Sequence, residues 1–264
     1  MKRFAIHTIF PLAVAAVLCG CATGEPGAVG APTAEDRAQA GRMMYFYLDP
    51  DFDAAMRMLP ALERISSADA GANMPVIGFV FGVASSMSAH SKELSRAARR
   101  HPGLAEPIEN ALAGKKYTDA LPPREDLQPA HLDFIWGYYF ATGDAEAARR
   151  IIERGAMNHL PSRSSLDGMI SVDITAETAK WSVRSIAQNH PAVRAELDSF
   201  ALSAGDEEIL NFFGFMSAPP ADRMDLRAKT LGLLTKKPFD RVSAILAAHD
   251  AKEPESATMD ERGT

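Results

Sequence analysis

The sequence predicts an all-α fold in which antiparallel helical hairpins stack in an α-solenoid-like way, as a single domain over residues 34–250. Apolar residues recur there at three- and four-residue steps, the period of an amphipathic helix. No segment keeps the strict apolar–polar alternation that a strand requires. The pairs Gly143-Asp144 and Gly205-Asp206, 62 residues apart, each separate two helical segments and indicate short interhelical turns. We therefore expect ten to twelve helices.

Capping and proline signals delimit the first two helices. Thr33 is placed to cap a helix that begins at residue 34. Pro50, after an aspartate, suits the first turn of a second helix, because a proline there lacks only an unpaired N–H. Apolar residues over 52–65 keep the helical period, and Pro60 is expected to kink or divide this helix.

A third helical segment is almost entirely apolar. It covers residues 74–87 and contains Gly78, Gly82 and Ser85, small residues whose spacing would allow another helix to approach closely. The segment is too short, and too polar at its ends, for a membrane span of about 20 residues. Further helices are predicted near 91–101, 104–113 and 126–142.

The middle of the chain carries the clearest turn signals. An aromatic-rich helix over 131–142 precedes Gly143, which is expected to end it in the left-handed conformation, and Asp144, which is expected to cap the next helix. Gly205-Asp206 stands in the same setting. Likewise, residues 98–102 (ARRHP) and 187–191 (AQNHP) each place a histidine at a helix end and a proline at the start of the next. The two copies of each pattern differ too much in sequence to define a countable repeat. They predict stacked helical hairpins.

The segment LDFIWGYYFATGD at 132–144 resembles a family of uncharacterised secreted or periplasmic helical proteins. The hallmark of that family is an aromatic-rich helix ending in Ala-Thr-Gly-Asp. The resemblance is good over residues 132–152 and loose over 40–220, and it implies a helical fold and no particular activity. Tetratricopeptide repeats share the helix–turn–helix arrangement, but their repeat of about 34 residues is not found in this sequence.

Residues 1–20 have the features of a signal peptide: two basic residues, ten apolar residues at 9–18 and then small residues. The tetrapeptide Leu-Cys-Gly-Cys that ends at Cys21 resembles the lipobox of bacterial lipoprotein precursors. The resemblance implies cleavage before Cys21, a thioether-linked diacylglycerol on its sulfur and usually an acylated amine. The alternative is an ordinary secreted protein that is cleaved near this point.

The residues after Cys21 predict how the domain is held. Residues 21–33 are rich in Gly, Pro and Ala and form a flexible tether that reaches roughly 20 Å. Ala22 follows the lipidated position, and the resemblance to Gram-negative lipoproteins, which use Asp there as an inner-membrane signal, implies the outer membrane, facing the periplasm. The polar stretch at 251–264 is predicted to be a disordered tail.

Composition limits the partners and the chemistry. The leader carries two of the 28 basic residues and none of the 34 acidic ones, so the mature chain has 26 basic residues against 34 and a net charge of −8. This balance argues against binding nucleic acid, or anionic lipid head groups, by general electrostatics. Cys19 and Cys21 are the only cysteines. The mature domain is therefore expected to have no disulfide, thiol nucleophile or thiolate metal site.

No sequence motif indicates catalysis, a metal or a cofactor. The six histidines of the mature chain include no HExxH and no pair at the i, i+4 spacing of a helical zinc site. The chain also lacks the GxSxG of serine hydrolases. His101 and His190 are expected to lie at helix C-termini, as caps or on the surface, because a partial positive charge is favourable there.

One candidate binding cleft stands out. Asp133 lies near Trp136 and Tyr139 on the aromatic helix, and the irregular 158–173 loop is flanked in sequence by Trp136 and Trp181. Long interhelical loops are places where function concentrates. For Asp133 itself, the favoured interpretation is that it caps a helix or faces water while the aromatic residues build the core.

The expected function is a non-enzymatic binding or scaffolding module of the cell envelope, anchored by Cys21 and offering a concave helical surface to a protein partner. The alternative is an envelope enzyme or small-ligand binder with a pocket near Asp133, Trp136 and the 158–173 loop. A deep pocket with converging buried polar groups would favour the alternative. A shallow, exposed apolar groove would favour the binding module.

Overall fold

The computed structural model describes residues 33–68, 70–157, 173–215, 218 and 220–252, and all regular secondary structure in them is helical. The all-α prediction is confirmed. The predicted signal peptide, Cys21, the tether up to residue 32, residues 158–172 of the predicted loop and the tail from residue 253 lie outside the described residues.

The described residues form twelve α-helices and five short 3-10 turns. The helices are α1 (Ala34–Met43), α2 (Phe52–Ala68), α3 (Ala70–Ser86), α4 (Ser91–Arg100), α5 (Ala105–Leu112), α6 (Pro129–Thr142), α7 (Ala145–Ala156), α8 (Ile174–Ala187), α9 (Pro191–Ser203), α10 (Asp206–Phe213), α11 (Pro220–Leu231) and α12 (Lys236–Asp250). The 3-10 turns are Phe46–Leu48, Ser88–His90, Pro102–Leu104, Tyr117–Ala120 and Arg124–Asp126. Within the described part of the chain, no helix combines the length and the apolar character needed to cross a membrane.

The first helix begins with a capping box, as the sequence predicts. The N–H of Asp36 donates to the Thr33 hydroxyl over 3.1 Å, and the Thr33 N–H donates to the Asp36 carboxylate over 2.9 Å. The buried Asp36 carboxylate also accepts from the guanidinium of Arg64 on α2. This hydrogen bond is the main reason why the pKa of Asp36 falls to about 2. The start of the domain is thereby fixed to α2.

Helix α2 differs from the prediction at its first residue and in one of the two outcomes expected at Pro60. It begins at Phe52, and not at Pro50, after Asp51, whose carboxylate accepts from the N–H of Asp53 over 2.8 Å. Pro60 does not divide the helix, which continues to Ala68. Burial of the apolar side, which includes Leu59 and Leu62, accounts for this continuity, since packing outweighs the lost hydrogen bond.

Helices α3 and α6 touch backbone to backbone at the centre of the fold. A Cβ atom on Gly78 of α3 would overlap the carbonyl oxygen of Phe134, and one on Gly137 of α6 would overlap the carbonyl oxygen of Pro75. At Gly82 an added Cβ would lie 2.7 Å from the Cβ of Ala141. The prediction that the small residues of this segment admit a close helix is confirmed.

The remaining helices pack around this pair in two groups. Helices α2 and α5 pack on α3, while α7 packs on α6 and also contacts α8, α9 and α10. Helix α12 closes the second group against α9 and α10. Some sequence neighbours pack on each other, such as α2 on α3 and α7 on α8, while α3 reaches past α4 and α5 to α6. One continuous apolar core runs from Met43 to Leu246 through both groups.

The turn between α6 and α7 has the predicted geometry. Gly143 has a φ of 69° and donates its N–H to the carbonyl of Tyr139 over 2.7 Å, so it ends α6 in the left-handed region. The carboxylate of Asp144 accepts from the N–H of Glu146 over 3.0 Å and caps α7.

The second Gly-Asp pair forms a different turn, so the expectation of an identical setting is wrong. Gly205 has a φ of −69°, which any residue can adopt, and it is the N-cap of α10. Its N–H donates to the carboxylate of Glu208 over 2.8 Å. Asp206 is the first residue of α10 and does not cap it. The helices on either side of the turn touch through the rings of Phe200 and Phe212, with centroids 5.6 Å apart. Glu208 supplies the capping group.

The substitution Gly137→Ala tests the central contact. The added methyl group would overlap the α3 backbone, which has no flexible end to move aside, so we expect a loss of at least about 2 kcal/mol in the free energy of unfolding. Gly232→Ala is the matched control, because its Cβ would meet only ordinary contacts of 3.4 Å or more, and its effect should stay within about 0.5 kcal/mol. Equal effects in urea denaturation would contradict the assigned contact.

Candidate functional site

Two of the four residues predicted to form a cleft belong to the core. Trp136 and Tyr139 on α6 are both 0% exposed, and their rings meet edge to face with centroids 5.7 Å apart. Phe140 lies beside Trp136 with the rings nearly parallel and 6.1 Å apart. The interpretation that these aromatic residues build the core is confirmed.

Asp133 lies one turn before Trp136 and is partly exposed. It caps no helix, and no hydrogen bond or ion pair joins its carboxyl group to another described residue. Its incomplete hydration raises its pKa to about 7, since burial disfavours the charged form. A carboxyl group of this pKa is about half ionised at neutral pH, which is the condition for general acid–base chemistry.

Trp181 lies apart from the other predicted cleft residues. It is partly exposed on α8, and the guanidinium of Arg184 sits 4.0 Å from the centre of its ring in a cation–π contact. Among the described residues, no ring contact joins Trp181 to Trp136 or Tyr139. Residues 158–172, which connect α7 to α8, lie outside the described residues, so a cleft formed with them stays a prediction.

A cluster of tyrosines around the buried His190 is the polar feature that the sequence did not indicate. His190, directly before α9, is 1% exposed, and its Nδ1 lies 3.0 Å from the hydroxyl of Tyr47. The ring of Tyr45 stacks on the imidazole, with centroids 5.1 Å apart and planes 5° from parallel. Tyr139 and Phe140 complete the surroundings at 6.1 and 5.6 Å. We call these five residues the Tyr–His cluster.

The position of His190 corrects the expectation of a capping or surface histidine. Its place at a helix junction before Pro191 is as predicted, but its ring is buried and caps nothing. His101 does lie at the C-terminus of α4, where its Nδ1 meets the carboxylate of Glu63 at 2.7 Å. No sequence signal separates the two histidines, because Tyr47 lies 143 residues away from His190.

Three buried polar atoms in and beside the Tyr–His cluster have no hydrogen-bond partner among the described residues: His190 Nε2, the Tyr139 hydroxyl and Trp136 Nε1. The Tyr139 hydroxyl faces Tyr47 without meeting hydrogen-bond geometry, and burial is the main reason why the pKa of Tyr139 is raised. Burial also lowers the pKa of His190, so its imidazole is neutral at pH 7. Groups of this kind accommodate a water molecule or a small uncharged molecule.

The described residues contain no group of three or more His, Cys, Asp or Glu side chains that could hold a metal ion. No protein-family model, curated protein or solved structure matches this chain. The resemblances carried by the Leu-Cys-Gly-Cys motif and by residues 132–144 therefore stay predictions, and the function has to be argued from the residues themselves.

A double-mutant cycle tests the hydrogen bond of the Tyr–His cluster. Tyr47→Phe leaves Nδ1 of the buried His190 unpaired, so we expect a loss of about 1–2 kcal/mol in unfolding free energy. In a His190→Leu background the same substitution should cost at least about 1 kcal/mol less, because no polar partner is then left behind. Both costs are measured by urea denaturation at pH 7.5. If Tyr47→Phe lowers the unfolding free energy equally in both backgrounds, the Tyr47 hydroxyl does not stabilise the fold through His190.

Asp133→Asn tests the raised pKa. The folded-state pKa of about 7 exceeds the ordinary aspartate pKa of 3.8, so folding favours the protonated form, and the wild type loses stability as pH rises from about 4 to 7. Asparagine avoids this cost. At pH 8 the variant should exceed the wild type in unfolding free energy by up to about 2 kcal/mol, a value that allows for the partial exposure of Asp133. At pH 4 the two proteins should be equally stable. Thermal unfolding at both pH values measures the difference, and a pH-independent difference would rule out the assigned pKa.

Proposed function

We propose that this chain is a lipoprotein of a bacterial cell envelope and that its helical domain binds another protein there. The observation that carries the anchor is the Leu-Cys-Gly-Cys motif ending at Cys21, placed directly behind a basic and then apolar leader. Several acyl chains on one residue give stable retention, whereas a single chain gives only marginal binding. Ala22 favours the outer membrane, with the domain in the periplasm.

The charged side chains that join helices in the described domain support a binding role rather than catalysis. Asp36 is paired with Arg64 between α1 and α2, and Arg154 with Asp173 at 2.9 Å between α7 and α8. The guanidinium of Arg241 on α12 donates to two carbonyl groups at the end of α9 over 2.6 and 2.7 Å. These groups are engaged in holding helices together, so they are not poised for proton transfer.

The exposed apolar residues of the first 3-10 turn favour a protein partner. Tyr45 is 45% exposed and Leu48 is 63% exposed. The inner face of the Tyr45 ring is held by the stacked imidazole of His190, so the ring loses little conformational freedom when a partner covers it. Rigid aromatic residues with apolar neighbours are the usual anchors of protein interfaces.

One observation favours the alternative, an envelope enzyme or small-ligand binder. Asp133 is partly exposed and has a pKa of about 7, as a general acid or base requires. Neither a second carboxylate nor a nucleophile lies within hydrogen-bond distance of it among the described residues. The exposed apolar residues of the first 3-10 turn therefore support protein binding more strongly than Asp133 alone supports catalysis.

Crosslinking in whole cells tests the proposed function. The wild-type protein should carry acyl groups on Cys21, detected by mass spectrometry, and should yield one discrete crosslinked partner in the membrane fraction. Cys21→Ala should abolish acylation and release the protein into the soluble periplasmic fraction. Leu48→Ser should retain acylation and lose the crosslink, because it removes an exposed apolar anchor.

Met224→Ser on α11 is the matched control, since Met224 is 67% exposed and the substitution should leave the crosslink intact. Loss of the crosslink in both variants, or in neither, would contradict the assigned surface. Absence of acyl groups on Cys21 would overturn the lipoprotein assignment. A specific small molecule that co-purifies with the wild type but not with Asp133→Asn would support the alternative.

A further inference from the structure

The outer side of α4 forms a basic ridge. Its members are all exposed, and none makes a hydrogen bond or ion pair with another described residue: Lys92, Arg96, Arg99 and Arg100. Glu93 is the single acidic residue of this ten-residue helix. The chain as a whole has a net charge of −6, so the ridge is a local concentration of positive charge on an acidic protein.

The basic ridge is held rigidly. The inner side of α4, with Leu94, Ala97 and Ala98, is buried, and the helix packs on α5. At its start His90 stacks on Phe52 of α2 with centroids 4.0 Å apart, and at its end His101 is paired with Glu63.

The two links to α2 also fix the direction of α4. The ring stack joins Phe52 to His90, and the ion pair joins Glu63 to His101. The second contact lies eleven residues after the first on both segments, which corresponds to a rise of about 16 Å along a helix. Helices α2 and α4 therefore run in the same direction, and the basic ridge follows α2 along its length.

The basic end of α4 lies at the end of the domain from which the tether leaves. Glu63 holds His101, directly after Arg100, and also accepts from the N–H of Gly103 over 3.0 Å. The next residue, Arg64, pairs with Asp36, three residues after Thr33, where the tether ends. Two consecutive residues of α2 thus connect the start of the domain with the end of the basic ridge.

We propose that the basic ridge binds anionic phospholipid head groups of the membrane that holds Cys21. The inference rests on the proposed anchoring, which keeps the domain within roughly 20 Å of that surface. Charges interact with the membrane within a Debye length of about 8 Å at physiological salt, so a local ridge contributes even when the net charge is negative. Lysine and arginine near an anionic surface each strengthen binding. The ridge thereby sets which side of the domain faces the membrane.

The experiment uses the mature chain with Cys21→Ser, so that binding does not depend on acylation. Its partition onto vesicles of equal parts phosphatidylglycerol and phosphatidylethanolamine is measured by flotation and compared with vesicles of phosphatidylcholine. We expect binding to the anionic vesicles alone, falling as salt is raised. The triple variant Arg96→Glu, Arg99→Glu and Arg100→Glu should lower the partition coefficient by more than about 100-fold, since it adds repulsion to the lost attraction.

The matched control changes the net charge by the same amount elsewhere. Lys236→Glu, Lys237→Glu and Lys252→Glu replace exposed lysines on and after α12 and should lower partition less than about threefold. A second ridge variant with three Arg→Gln changes avoids placing acidic residues at the C-terminus of α4, where they disfavour the helix, and should lower partition by about 100-fold.

Equal losses in the ridge and control triples would overturn the proposal, because net charge and not the ridge would then govern binding. Failure of the Cys21→Ser chain to bind anionic vesicles at low salt would also overturn the proposal. A crosslink to an acidic protein that depends on the ridge would show that the ridge binds that protein and not the membrane. An unacylated Cys21 in cells together with ridge-dependent vesicle binding would overturn the anchor alone. The failure of either proposal is therefore distinguishable from that of the other.

Discussion

The backbone contact between α3 and α6 is the constraint on which the other parts of the structure depend. Because Gly78 and Gly137 each face a carbonyl oxygen of the opposite helix, the two helices come closer than side chains would otherwise allow. This approach fixes α6, and α6 carries Trp136 and Tyr139 into the core. This pair joins the helices that pack on α3 to those that pack on α7.

Polar side chains then tie distant parts of the chain to that centre. Tyr47 and His190, 143 residues apart, join the first 3-10 turn to the start of α9. Arg64 joins α2 to the first helix, and the neighbouring Glu63 joins α2 to the end of α4. These interactions are few, and each lies at a helix end, where unpaired backbone groups and side chains are available. The same helix ends place the exposed Tyr45 ring and the basic ridge on rigid supports.

Local features were predictable from the sequence, and features that depend on distant neighbours were not. The cap at Thr33 and the left-handed end at Gly143 follow from residues within one turn. The close approach at Gly78 follows from its small size, but its partner α6 is set by packing some 55 residues away. His101 and His190 have the same local sequence setting, yet one is paired with Glu63 and the other is buried. Only the tertiary neighbours distinguish them.

The link between Asp36 and Arg64 has a mechanical consequence for an anchored protein. Tension on a membrane anchor would enter the domain at Thr33, and the capping box passes it directly to Asp36. From there it is transmitted sideways into α2 through Arg64, so α1 is not simply peeled from its free end. Because Arg64 is followed closely by the buried Ile65, the pull is then shared by the core. Resistance of the domain to such a pull would therefore depend on the pair of Asp36 and Arg64.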